Sequence, residues 1–191
     1  MLTRESAFRT ITTDDATADS STSLEGRAVL VLACAEAAVL RADLAGSWYE
    51  SCHRLLWECV RFLRAHDVSS EIFETHIISR EGDCGFLVNS DADHERKDFW
   101  MFLANVAGWY AALAAEARNE YSYLCDVSDP YSVSRVFSAV TQSNGEFLWW
   151  QYCADVFRFV VTRFPLHDDR LLKVDYGTVR IDMFRFLADL E

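Results

Sequence analysis

The chain has 191 residues, 51% of them apolar, and its 18 basic and 30 acidic side chains give a net charge of −12. That length suits one domain with enough buried surface to need neither metal nor disulfide. Seven glycines and two prolines exclude collagen-like and Pro-rich disordered chains and disfavour a turn-rich all-β fold, while the negative charge disfavours general nucleic-acid binding.

Residues 1–23 are rich in Ser, Thr and Asp with few large apolar side chains. They are expected to form a flexible tail, because they have little to bury against the entropy of ordering. They also lack the apolar run of a signal peptide, so the expected compartment is the cytoplasm. A single globular domain is expected over 24–191. Its first helix spans about 24–45, through an Ala-rich apolar run, and stops at Gly46. Ser47 and Glu50 have the spacing of a capping box, which starts a second helix ending near His66.

Between 67 and 89 the helical period fails. Ile72, Thr75, Ile77 and Ile78 are β-branched, and Gly82 and Gly85 supply turn chemistry before the short apolar run 86–88. These features predict a small β-hairpin near residues 71–89. A helix is expected from 91 to about 121. On it Phe99, Phe102, Leu103, Val106, Tyr110 and Leu113 form a bulky face, opposite a small one of Ala104, Ala107, Gly108, Ala111 and Ala115. That pattern suits a central helix packed on both sides rather than a membrane span. Ser128, Asp129 and Pro130 give a further helix start. Helices are then expected over 146–164, before Pro165, and over about 178–190. The fold class is predominantly α, a bundle of about six helices with one hairpin.

Catalytic signatures are sparse. Glu50 and His53 have the Glu-x-x-His spacing of di-iron bundles, but the nearest second pair, Asp91 and His94, carries the shorter acid, and Glu50 already has a capping task. Residues 89–95 alternate oxygen ligands as a calcium loop does, without the glycine at the turn or the closing glutamate. Gly82, Asp83, Cys84 and Gly85 resemble the nucleophile turn of chymotrypsin-like viral cysteine proteases, with His53 and His76 as upstream partners for Cys84. The six cysteines, Cys34, Cys52, Cys59, Cys84, Cys125 and Cys153, contain no C-x-x-C pair and are expected to be reduced, acting as small hydrophobes. No cofactor or metal is expected.

Surface chemistry carries more information. From 67 to 98, nine acids (Asp67, Glu71, Glu74, Glu81, Asp83, Asp91, Asp93, Glu95, Asp98) face three bases (Arg80, Arg96, Lys97). The local charge of −6 is half of the total and would steer a basic partner. Trp57 lies opposite the apolar face of its helix, among Arg54, Glu58, Arg61 and Arg64. Trp109 shares a narrow stripe with Asp98, Asn105 and Glu116. Tryptophan beside arginine is a favoured interface anchor. The expected partner-binding residues are therefore Glu81, Asp83, Asp91, Asp93, Trp57 and Trp109.

In size, acidity and absence of a catalytic signature, the chain resembles bacterial immunity proteins. The resemblance implies a cytoplasmic, non-catalytic protein that binds and neutralises a partner, a basic toxin domain, by covering its active site or substrate surface. Nucleic acid and membrane are not expected partners. A secretion-chaperone-like binder is a related alternative. An enzyme using Cys84 as nucleophile, or Glu50 and His53 at a metal, is the alternative of a different class.

Overall fold

The computed structural model describes residues 3–12, 21–78, 85–120, 133–134, 136–137, 147–166 and 171–190. They are predominantly helical: α1 (Arg4–Thr12), α2 (Leu24–Arg41), α3 (Gly46–Ala65), α4 (Ser70–Ile77), α5 (Phe86–Ala92), a 3-10 turn (His94–Arg96), α6 (Lys97–Arg118), α7 (Phe147–Arg163) and α8 (Tyr176–Ala188).

Helix α6 is the hub. From Phe102 to Ala115 nearly every side chain is buried, bulky and small faces alike. Helices α4 and α5 pack along it, and α2 and α3 also touch it. Tyr110, fully buried, donates from its hydroxyl to the Ala28 carbonyl of α2 at 2.7 Å. That bond satisfies a polar group that burial would otherwise strand. Asn119 ends α6 in the left-handed region, at φ +56°, a conformation asparagine tolerates better than most residues.

Helix α2 starts at Ser23, whose hydroxyl accepts from the Gly26 amide. Its first turn lies close against the end of α7. Thr22 pairs with Pro165 as an isolated bridge, and the Phe164 carbonyl accepts from both the Ser23 amide (3.0 Å) and the Thr22 hydroxyl (2.8 Å). At Gly26 a Cβ would come within 2.6 Å of the Phe164 Cβ and 2.5 Å of the Thr22 hydroxyl oxygen. Glycine is what allows this approach. At the other end of α2, Glu36 accepts from the Tyr176 hydroxyl (3.1 Å) and pairs with Arg180 (2.9 Å), which fastens α8.

Several expectations need correction. The hairpin near 71–89 is not formed by its described residues: its first arm is α4 and its second lies in α5. Phe73, His76 and Ile77 bury one face of α4 at i, i+3, i+4 spacing. Burial of that face outweighs the few tenths of a kcal/mol that β-branched residues cost a helix. The flexible tail is likewise corrected over residues 3–12. Helix α1 packs on α7, with Ala7 and Ile11 fully buried and Phe8 against Trp150 at 5.0 Å. Arg4 clasps the buried Asp155 (2.8 Å), which also pairs with Arg158. Three apolar residues on one face were enough to dock a short helix.

Boundaries shift as well. Helix α2 stops at Arg41, and Asp43 takes a φ of +46°. The capping box is not formed: α3 begins at Gly46 (φ +62°) after Ala45, which offers no capping side chain. The expected 91–121 helix is broken at Asp93, with α6 starting at Lys97. The helix start at Ser128, Asp129 and Pro130 lies outside the described residues. No described helix is long and apolar enough to cross a membrane.

Candidate protein-binding surface

Helix α3 divides its side chains sharply. Cys52, Leu55, Leu56, Cys59, Phe62 and Leu63 are buried against the bundle. The helical period then places Glu50, Trp57 and Arg64 along the middle of the opposite face. Tyr49, His53 and Val60 flank that line on one side, Arg54 and Arg61 on the other. Trp57 is 62% exposed and Tyr49 47%. The Tyr49 ring sits 4.0 Å from that of His53. An indole held out on a regular helix, with a neighbouring phenol, is a preformed apolar contact that loses little conformational freedom on binding.

The charges on this face sort into paired and unpaired. Arg61 pairs with Glu58 (2.9 Å) and Asp67 (3.4 Å). Arg54 and Arg64 are exposed and carry no ion pair among the described residues. At the helix end, the Val174 amide donates to the Leu63 carbonyl, which lays the segment carrying exposed Leu172 and Lys173 against α3. His66 ends the helix with a φ of +56°, and partial burial together with Lys173 lowers its pKa.

The acidic edge lies at the other end of α3. Trp48 meets Trp100 edge-on at 5.4 Å, and the Trp100 indole donates to Asp93 (3.1 Å). Asp93 is mostly buried and also lies 3.7 Å from Arg96, so it fixes the α5–α6 junction instead of offering free charge. Asp91, Glu95 and Asp98 are exposed there. Glu81 and Asp83 lie outside the described residues. Trp48 and Trp57 are nine residues apart, about 13 Å along the axis. Nine residues also carry Trp48 half a turn round α3 from Trp57, so the exposed acids border the N-terminal end of the helix and not the Trp57 line.

Trp109 does not belong to this surface. It is 2% exposed, and its ring packs edge-on against Tyr110. The polar stripe read around it is exposed only at the helix ends, in Asp98 and Glu116, with Asn105 half-buried between them.

The chemical motifs do not converge. No group of three or more His, Cys, Asp or Glu side chains suited to a metal occurs among the described residues. His53 is occupied by its ring contact with Tyr49, and its Nε2 is buried without a hydrogen-bond partner among the described residues. The calcium-like run is the end of α5 and a 3-10 turn, with Asn89 buried and Asp91 exposed, so its oxygens face different ways. Cys84 lies outside the described residues, as does Cys125. Its suggested partner His76 stacks on Phe86 at 5.9 Å, and burial with Arg54 nearby lowers its pKa to about 4. Cys34, Cys52, Cys59 and Cys153 are free and fully buried. Burial pushes the Cys52 thiol up to about 12 and raises Cys34 and Cys59 as well, which suits packing and not nucleophilic attack.

Trp57 is exposed on the outer face of α3, as its helical position predicts; exposed Tyr49, Leu172 and Lys173 were not among the expected residues. The i, i+4 and i+8 spacing of Tyr49, His53 and Trp57 was the available signal. No family model, characterised protein or solved structure matches this chain.

Proposed function

We propose that this chain is a stoichiometric binding protein that neutralises a partner protein by covering its working surface, as bacterial immunity proteins do. The observation that carries the reading is Trp57, 62% exposed at the centre of an ordered helix face. Burying such a side chain on folding would have contributed about 1.5–3 kcal/mol. Leaving it in water is explained by a partner that covers it. The exposed acids Asp91, Glu95 and Asp98, on α5, the 3-10 turn and the start of α6, would steer a basic region of that partner.

Capture of the partner from the native host, followed by association kinetics, tests this. Trp57→Ala should accelerate dissociation, at a cost of about 2 kcal/mol or more. Reversing Asp91, Glu95 and Asp98 should slow association and leave dissociation nearly unchanged. A captured protein whose binding is indifferent to Trp57→Ala would refute the assignment.

A further inference from the structure

The outer face of α3 runs against the charge of the chain. On a protein of net charge −12, the exposed indole has Arg54 and Arg64 beside it and Lys173 beyond the helix end, with Glu50 as the acid on its own line. Arg64, in the last turn, also complements the helix dipole. Arg54 lies mid-helix, where the dipole gives it no advantage. Arg54 and Arg64 lie ten residues, about 15 Å, apart along the helix, so each offers its charge separately, and neither has an ion pair among the described residues.

We propose that the α3 face centred on Trp57 docks an acidic protein segment, which seats apolar side chains against Trp57 and, two turns away, Tyr49, and sets carboxylates opposite Arg54 and Arg64. The inference rests on the reading of Trp57 as an anchor and adds the chemistry of what it meets. Arginine suits the role because its planar guanidinium binds carboxylate through two parallel hydrogen bonds. A protein segment fits better than a nucleic acid. A polyanion would be repelled at long range by the whole chain, whereas a local cluster of carboxylates feels mainly the nearby cations. The partner surface is then divided, basic where it meets Asp91, Glu95 and Asp98 and acidic where it meets Arg54 and Arg64. That division would fix the orientation of the complex.

The test uses the full chain with two synthetic amphipathic helical peptides that share one leucine face, one rimmed with glutamate and the other with lysine. A single-stranded oligothymidine is the third probe. Binding is followed by NMR at the Trp57 indole and the α3 amides. The glutamate-rimmed peptide should perturb that face and weaken as salt rises. Trp57→Ala, and separately the pair Arg54→Glu with Arg64→Glu, should each weaken it about tenfold or more, in variants whose spectra elsewhere match the parent. The lysine-rimmed peptide should leave the face unperturbed. Equal binding of both peptides, preference for the lysine rim, perturbation by the oligothymidine alone, or concentration-dependent self-association that buries Trp57 would each overturn the proposal. With the native partner, loss on Trp57→Ala without loss on arginine reversal overturns the acidic segment alone, and indifference to both overturns the anchor too.

Discussion

Trp57 and Trp109 look alike in the sequence and opposite in the molecule. Each is a tryptophan on a helix, in line with polar residues and away from the most obvious apolar face. Trp57 stands in water on α3, and Trp109 is enclosed within α6. What separates them is how completely neighbours surround each helix. Helix α3 covers one side of the bundle, so one face is buried and the other is free. Helix α6 is packed by α4 and α5 and touched by α2 and α3, so it has no free face over its middle turns. A polar stripe therefore marks a surface only where its members remain exposed along the whole helix. On α3 Glu50, Arg54 and Arg64 do; on α6 Asp98 and Glu116 do so at the ends only.

Substitution at Trp109 should give the largest effect. Trp109→Ala empties a large core site and should destabilise the protein by about 3–5 kcal/mol in denaturant unfolding. Trp109→Phe should cost far less, because the indole N–H makes no hydrogen bond among the described residues and most of the ring volume is kept. Equal losses for the two variants would show that the site does not discriminate ring from void.

Acid should probe the same interior. His76 is buried against Phe86, and its pKa is lowered to about 4 from an unfolded value near 6.5. Between those values the unfolded chain binds the proton and the folded one does not, so stability falls as pH falls. The contribution is fully present above about pH 6.5 and lost by about pH 4, on the order of 3 kcal/mol. His76→Gln should flatten that part of the stability profile. An unaltered slope in the variant would place the acid sensitivity elsewhere.

A third contrast sets a position with no room against one with ample room. Gly26→Ala puts a methyl within 2.6 Å of the Phe164 Cβ. It should destabilise by about 1–3 kcal/mol although alanine is the better helix former. Thermal unfolding decides the sign, and a stabilised variant would mean that the start of α2 and the end of α7 separate freely.

Much of the bundle was legible because its signals are local. Helix α2 starts at Leu24 after a polar run, His66 closes α3, Pro165 follows α7, and the two faces of α6 follow from residue size alone. The parts that were not legible depend on distant partners. Nothing near Ile72 or Thr75 says that Phe73, His76 and Ile77 will meet α6, and α1 becomes a helix because α7 receives Ala7 and Ile11. The candidate surface was half legible for the same reason. Trp57 and its arginines sit on one helix and share one period, whereas Lys173 comes to the end of α3, beside His66, only through the bond of Val174 to Leu63.

The smallest expected effect separates the two tryptophans most sharply. Trp57→Ala removes a side chain that is mostly in water and belongs to no buried cluster, so unfolding stability should change by no more than about 0.5 kcal/mol. Alanine also has the higher helix propensity, which offsets part of any lost contact with the neighbouring arginine stems. Denaturant midpoints for Trp57→Ala and Trp109→Ala, measured side by side, should therefore differ by several kcal/mol for the same change of residue. If Trp57→Ala instead costs as much as a core substitution, the indole is covered within the folded chain itself. The case for α3 as a docking face would then fall, because an anchor for a partner must be one that the free protein does not need.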